Sequence, residues 1–182
     1  MKKLEKKWMS LMKKLNLILS SFIIIFLFIF SSAKADTFLS GFPLIIDADT
    51  IKIGNDKIRL FGIDAPEKKQ FCKKPYINLF IFSFEEKYPC GEVSINSLKE
   101  FVKEAIVSCK VEEEKDFFKR YLGTCFKNGE NINSWLVKNG YAVAFTRYSK
   151  IYLNEELYAK NNKIGLWQGT FEKPWEWRKK NK

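Results

Sequence analysis

An α+β fold, with a five-stranded Greek-key β-barrel of the OB type capped by about three α-helices, is what this 182-residue sequence predicts. Three observations carry that expectation. Short β-branched runs are punctuated by Gly-Asn and Asn-Gly turns, apolar residues recur at helical spacing in between, and the chain beyond its N-terminal segment has a length that suits one domain.

The N-terminal segment reads first. Lys2, Lys3, Lys6, Lys7, Lys13 and Lys14 form a basic stretch, Leu17 to Phe30 is apolar, and Ala33-Lys34-Ala35 supplies a small-x-small cleavage signature. Residues 1–35 are therefore expected to be a Sec-type signal peptide cleaved after Ala35, leaving a secreted or periplasmic domain over 36–182. An uncleaved N-terminal membrane anchor is the alternative.

Next, "FPLIIDADTIKIGNDKIRLFGI" predicts short strands, with Gly54-Asn55-Asp56 turning a hairpin between Thr50 to Ile53 and Lys57 to Phe61. Ile58 and Leu60 then share one face, and Arg59 points to the other. From Lys68 to Tyr88 the pattern breaks into a charged loop with an aromatic middle, expected to pack on the domain as a satellite cluster. Ile95, Leu98, Phe101, Val102, Ala105 and Ile106 predict an amphipathic helix from Glu92 to Ile106. "VSCKVEEE" and "YLGTCFKNGENI" predict two strands, followed by a short helix from Asn133 to Lys138 stopped at Asn139-Gly140. A last helix is expected from an Asn154 N-cap to about Gly165. Trp135, Trp167, Trp175 and Trp177 read as core and tail anchors, and "WRKKNK" as a phosphate-binding tail or a solvated end.

Composition narrows the chemistry. Residues 1–35 hold seven of the 32 Lys and Arg and one of the 21 Asp and Glu, so Asp36 to Lys182 carries 25 basic and 20 acidic residues, a formal charge of +5. That balance favours a polyanionic partner. The chain has no histidine, which excludes His triads, His general bases and His-containing metal sites. Four cysteines allow three pairings. The expected one joins Cys72 with Cys90, closing a loop, and Cys109 with Cys125, stapling neighbouring strands. A structural zinc site is disfavoured, since neither a CxxC pair nor a His is present.

The candidate site lies in "DADTIKIGNDKIRLFGIDAPE". Asp47 and Asp49 are two residues apart on an extended segment and share a face. Asp64 and Glu67 flank a turn imposed by Pro66. Converging carboxylates need a cation or a proton between them, and an oxygen-only set favours a hard ion, Ca²⁺ or Mg²⁺. Asp47 can alternatively fix its turn through an Asx-type bond. Arg59 and Arg120 can clamp a phosphate bidentately.

In that order, "IDADTIKI", "IRLFGIDAPE", "DFFKRYLG", "WLVKNGYAVAF" followed by "RYS", and "GLWQGTFEKPWEWR" resemble the staphylococcal nuclease-like (thermonuclease) family, from about Phe42 to Arg178. The resemblance implies one Ca²⁺ on Asp49, Asp64 and the backbone carbonyl of Ala65, with Asp47 supporting the metal site without touching the ion. It implies Glu67 as the general base or water-orienting carboxylate, and Arg59 and Arg120 as stabilisers of the charge growing on phosphate. Ala65 stands where the best-studied members have Thr, a change that a carbonyl ligand survives. Phe117 and Phe118 replace a Lys-Tyr or Arg-Tyr pair, so nucleotide contacts there would be stacking, as at Tyr148 beside Arg147.

The resulting expectation is a monomeric, exported nuclease. It would hydrolyse DNA and RNA with low sequence specificity through a metal-organised water, without a stable protein partner and without a membrane attachment after signal cleavage. The alternative is a catalytically impaired barrel that binds nucleic acid or a protein.

Overall fold

The computed structural model describes residues 2–29, 36–79 and 82–181. It divides into two units, Met1–Ala35 and Asp36–Lys182. The first holds one helix, α1 (Lys2–Ile29). Among the described residues no helix is long and apolar enough to cross a membrane. The cleavage signature Ala33-Lys34-Ala35 lies outside the described residues.

The second unit runs β1 (Thr37–Gly41), β2 (Pro43–Asp47), β3 (Thr50–Ile53), β4 (Asp56–Leu60), β5 (Ile63–Asp64), β6 (Cys72–Leu79), β7 (Phe82–Tyr88), α2 (Cys90–Val102), β8 (Val107–Lys115), β9 (Tyr121–Lys127), β10 (Glu130–Asn131), α3 (Ile132–Lys138), β11 (Val143–Ala144) and α4 (Leu153–Asn161). A 3₁₀ turn, Gly165–Gln168, and α5 (Pro174–Lys180) complete it. One curled sheet has the order β1-β8-β9-β4-β3-β2. Its parallel β4–β9 pairing joins two antiparallel sets, giving the expected α+β, OB-like half-barrel. The five strands read from the sequence are β2, β3, β4, β8 and β9. The sheet gains two more, β1 beside β8 and β10 beside β9, making seven.

Alternation decides what the sheet buries. Ile58 and Leu60 of β4 are buried while Arg59 between them is not fully enclosed, so the guanidinium is left on the outer face. The main core collects Ile51, Ile58, Leu60, Leu98, Val107, Leu136 and their neighbours, with Trp135 packed against it and stacked on Phe101 at 3.9 Å. A second cluster joins Cys72, Cys90, Val143 and Leu166 to Trp167, Phe171 and Trp175. Buried Asn133 locks the parallel junction: its Oδ1 accepts from Cys125 N at 3.1 Å, and its Nδ2 donates to Phe61 O at 2.9 Å.

Four local expectations are corrected. The Lys68 to Tyr88 stretch is largely a β6–β7 hairpin, tied down by Lys73 N to Thr170 O at 2.8 Å and faced by the cross-strand ion pairs Lys73–Glu85 and Lys74–Glu86. Its sequence hides this, because Pro75 sits at a register shift and the middle carries little turn chemistry. Helix α2 starts earlier and stops at Val102, where left-handed Glu104 (φ 53°) turns the chain and leaves Ile106 exposed rather than in the core. Helix α4 takes Tyr152 as N-cap, and Asn154 lies inside its first turn. The expected solvated or phosphate-binding tail is helix α5, with Pro174 at its first positions.

Both expected disulfides are present, Cys72–Cys90 and Cys109–Cys125. They suggest an extracytoplasmic setting. Cys109 and Cys125 face each other directly across β8 and β9, and both are fully buried. Replacing this pair by alanines is expected to lower the unfolding free energy by about 2–4 kcal/mol. Urea titration of the oxidised protein and of the variant measures it, and a difference under about 1 kcal/mol would contradict a formed bridge.

Candidate active site

The site forms where β2, β3, β4 and β5 meet. Asp47 ends β2 and Asp49 lies in the β2–β3 connection, with a register shift between Ile45 and Asp47 that turns the strand end. Leu60 N donates to Asp49 O at 2.8 Å, which brings the end of β4 alongside this turn. β5 then delivers Asp64, and Ala65 N donates to Asp49 Oδ2 at 2.9 Å. Asp49 and the backbone of Ala65 are thus locked together.

Arg59 binds both inner carboxylates, through Nη1 to Asp49 Oδ1 and through Nη2 to Asp64 Oδ1 at 2.6 Å. Burial works against its charge, but Asp49 and Asp64 more than offset this and hold its pKa above the ordinary value. Burial likewise pushes the Asp64 carboxyl up, against the pull of the neighbouring guanidinia. Side-chain exposure separates the roles: Asp64 is 0 % and Asp49 5 % exposed, whereas Glu67 is 29 % exposed. Glu67, like half-buried Asp47, is in contact with both the cluster and water.

Gln70, fully buried, builds the seat of Glu67. Its Oε1 accepts from Glu67 N at 3.2 Å, its N donates to Glu67 O at 2.7 Å, and its Nε2 donates to Glu172 O at 2.7 Å. One side chain therefore ties the Pro66 turn to the segment leading into α5.

That segment brings a residue the sequence reading did not place. Trp175 packs 5.4 Å from Phe145, and Arg178, one turn later on the same side of α5, reaches into the site. Its Nη2 donates to Asp64 Oδ2 at 2.9 Å, and its Nη1 to Asp64 Oδ1 at 3.1 Å and Glu67 Oε1 at 2.8 Å. The signal was present in "PWEWR", where Pro opens a helix and Trp and Arg are three apart. Nothing local, however, named the anion that Arg178 meets.

Arg120 behaves differently from the expectation of a second clamp beside Arg59. Its Nε and Nη2 donate to Asp116 Oδ2 at 2.9 and 2.8 Å, and its guanidinium lies 5.1 Å from the Phe118 ring. It remains on the same outer face as Arg59, because Arg59 registers with Leu122, two residues further along. Phe117, Phe118 and Tyr148 are all exposed, the last with its ring 5.0 Å from Phe145.

Asp47 completes the cluster. Its Oδ1 is buried without a hydrogen-bond partner, and burial, with the charges of Asp49 and Glu67, raises its pKa from 3.8 to about 6. A carboxyl whose folded pKa exceeds its unfolded value costs the fold stability as pH rises from about 4 to about 6, and the cost persists above. Asp47→Asn is therefore expected to be more stable than the parent protein in chelator at pH 7.5, by about 1–2 kcal/mol after allowance for solvent screening. The two should coincide near pH 4. Urea titrations at both pH values check this, and a variant less stable at pH 7.5 would contradict it.

Among the described residues no three Asp, Glu or Cys side chains stand ready as a metal cage. Arg59 and Arg178 occupy the oxygens of Asp64, and Asp49 is committed to Arg59 and Ala65 N. The donor chemistry nevertheless fits a hard divalent cation. Four carboxylates, Asp47, Asp49, Asp64 and Glu67, face two guanidinia and the Lys68 ammonium that acts on Asp47, which leaves one negative charge in excess and one buried oxygen, Asp47 Oδ1, without a partner.

Comparison with known proteins bears on what such a cluster belongs to. The family model for staphylococcal nuclease homologues matches residues 57–169, more than half of the sequence. The chain belongs to that family. An uncharacterised endonuclease of Haemophilus influenzae is 30% identical over 175 residues, covering 92% of this chain and 87% of that protein. A succinoglycan biosynthesis protein of Rhizobium meliloti is 31% identical over 137 residues, 72% of this chain and 66% of its own length. A probable staphylococcal-like nuclease of rice, Oryza sativa, is 32% identical over 155 residues, 80% of this chain but 36% of its own length. The chain thus spans less than two thirds of these last two relatives. Of the site, Arg59, Asp64, Ala65, Glu67 and Arg120 fall inside the family match, whereas Asp47, Asp49 and Arg178 lie outside it.

Proposed function

We propose that this member of the staphylococcal nuclease homologue family is an exported, Ca²⁺-dependent nuclease that hydrolyses phosphodiester bonds of DNA and RNA with little sequence preference. The observation that carries the reading is the convergence of Asp49, Asp64, Glu67 and Arg59 on one turn system. Asp49, Asp64 and the carbonyl of Ala65 would hold the ion, with Asp47 contributing charge from beside them. A bound Ca²⁺ supplies polarisation of a phosphoryl oxygen. Arg59 donates to the phosphate in the outer part of the site and stabilises charge that builds there. Glu67, a carboxylate partly open to water, accepts the proton of the attacking water. Arg120 lies on the same outer face, and turning away from Asp116 would let it bind a flanking phosphate. Phe117, Phe118 and Tyr148 offer exposed rings on which bases stack without hydrogen-bond readout.

The N-terminal basic and apolar segment is read as the export signal, ending at Ala35 and giving a secreted or periplasmic monomer. The alternative, a barrel that binds polyanions or a protein without cutting, is favoured by one observation: an arginine is already seated on Asp64 and Glu67.

Cleavage separates the two. The unit from Asp36 onward contains both core clusters and both disulfides. Oxidised, it is expected to cut single-stranded DNA and RNA with Ca²⁺, less well with Mg²⁺, and not with chelator. Folded protein that retards nucleic acid but never cuts it would establish the binding module.

A further inference from the structure

We propose that Arg178 belongs to the reaction centre as an internal cation that positions Asp64 and Glu67 and that a divalent ion must displace. The inference rests on the reading that these carboxylates take such an ion. Three contacts support it: Nη2 to Asp64 Oδ2, Nη1 to Asp64 Oδ1, and Nη1 to Glu67 Oε1. A guanidinium forked onto a carboxylate uses the lone pairs that a hard cation would use, so the two ligands exclude one another. With Arg59 also on Asp64 Oδ1, both oxygens of this fully buried carboxylate are already hydrogen-bonded to a guanidinium.

The two arginines are not equivalent. Arg59 is 15 % exposed, sits within the sheet and joins Asp49 to Asp64. Arg178 is 34 % exposed and projects from a terminal helix that is anchored at its start, through buried Pro174 and the contact of Trp175 with Phe145. Its side chain can swing into solvent without disturbing that anchor. Arg178 is therefore the cation that exchanges, and Arg59 the one that stays. Its position also sets how Glu67 is held before metal arrives, because one nitrogen bridges Glu67 and Asp64.

The consequence is quantitative. An ion that binds only when Arg178 is unseated has its apparent Kd raised by the inverse of the unseated fraction. If the seat is filled about nine-tenths of the time or more, removing it tightens binding about tenfold or more. Removing any nearby positive charge also favours a cation, so Lys179→Met, an exposed charge lost from the same helix, measures that general contribution.

The experiment is calorimetric titration of Ca²⁺ into the oxidised unit 36–182 as parent, Arg178→Met, Arg178→Lys and Lys179→Met. Arg178→Met is expected to bind about tenfold more tightly or better. Arg178→Lys, which keeps charge but loses the fork, should fall between it and the parent, and Lys179→Met within about twofold of the parent. The Ca²⁺ concentration that half-saturates cleavage should fall in the same proportion; mere structural damage would lower the rate at every Ca²⁺ concentration without moving that midpoint. Ca²⁺ binding in Arg178→Met that is no tighter than in Lys179→Met overturns the proposal while leaving the metal reading intact. Absence of Ca²⁺ binding in all four folded proteins overturns both.

Discussion

Glu67→Gln is expected to lower turnover on single-stranded DNA and RNA by two orders of magnitude or more while the protein stays folded. Glutamine keeps the shape and one acceptor, so the seat built by Gln70, which grips the Glu67 backbone, survives. It cannot take a proton from water, and the two inner carboxylates cannot stand in: Asp49 and Asp64 are buried and bound to Arg59. Losing a positioned base typically costs about 10²–10⁴ in rate. Arg59→Met provides the contrast. It should lower turnover by a similar factor, through lost stabilisation of the phosphate charge. It should also lower stability, because Asp49 and Asp64 would remain buried with one partner fewer. Single-turnover rates at saturating Ca²⁺, with urea titrations alongside, separate the two variants. A Glu67→Gln rate within about tenfold of the parent would remove Glu67 from the role of base.

The second large effect comes from a residue without a functional group. Gly91→Ala is expected to lose both stability and activity, since a Cβ at Gly91 would overlap the Glu67 carbonyl oxygen and lie 2.6 Å from its carbon. The first turn of α2 lies against the Pro66 turn, and Gly91 N donates to Gln70 O at 3.3 Å. The obstructing atoms are backbone, so no side-chain rotation relieves them. Either α2 withdraws from the core, at about 1–3 kcal/mol or more, or the Glu67 turn is pushed out of the site. Gly129→Ala is the control. Its left-handed φ of 83° makes alanine cost about 1–2 kcal/mol, but the space around it is empty and it lies in the β9–β10 turn. It should lose stability and keep the rate per folded molecule. Melting temperature and kcat for both variants decide the matter, and wild-type values for Gly91→Ala would refute the close approach.

Much of this was legible along the chain because it depends on short-range rules. Gly54-Asn55 turns the β3–β4 hairpin, alternation puts Arg59 on the outer face, and Cys109 and Cys125 lie on neighbouring strands at opposed positions. The acidic groups also announced themselves, since carboxylates two apart on a strand end and around a Pro turn converge through local geometry. Asn131 was less visible as a cap: its side chain accepts from Ser134 N at 3.0 Å, and it stands two positions before Asn133, where the sequence reading began the helix. The β6–β7 hairpin was hidden because its charges pair across strands, Lys73 with Glu85 and Lys74 with Glu86, a regularity that appears only once the register is known.

By itself, then, the sequence determined the β3–β4 hairpin and which carboxylates and which β4 arginine gather at one turn, and it made one cysteine pairing the expected one. Only the tertiary structure decided which cations those carboxylates meet. Arg120, close in register to Arg59, is drawn to Asp116 four residues away, while Arg178 arrives from 111 and 114 positions beyond Glu67 and Asp64. Local spacing says nothing about such a choice. It is made by desolvation: Asp64 is sealed from water inside the folded unit, and a charge without water must be met by whichever guanidinium the packing of Trp175 and Phe145 carries within reach.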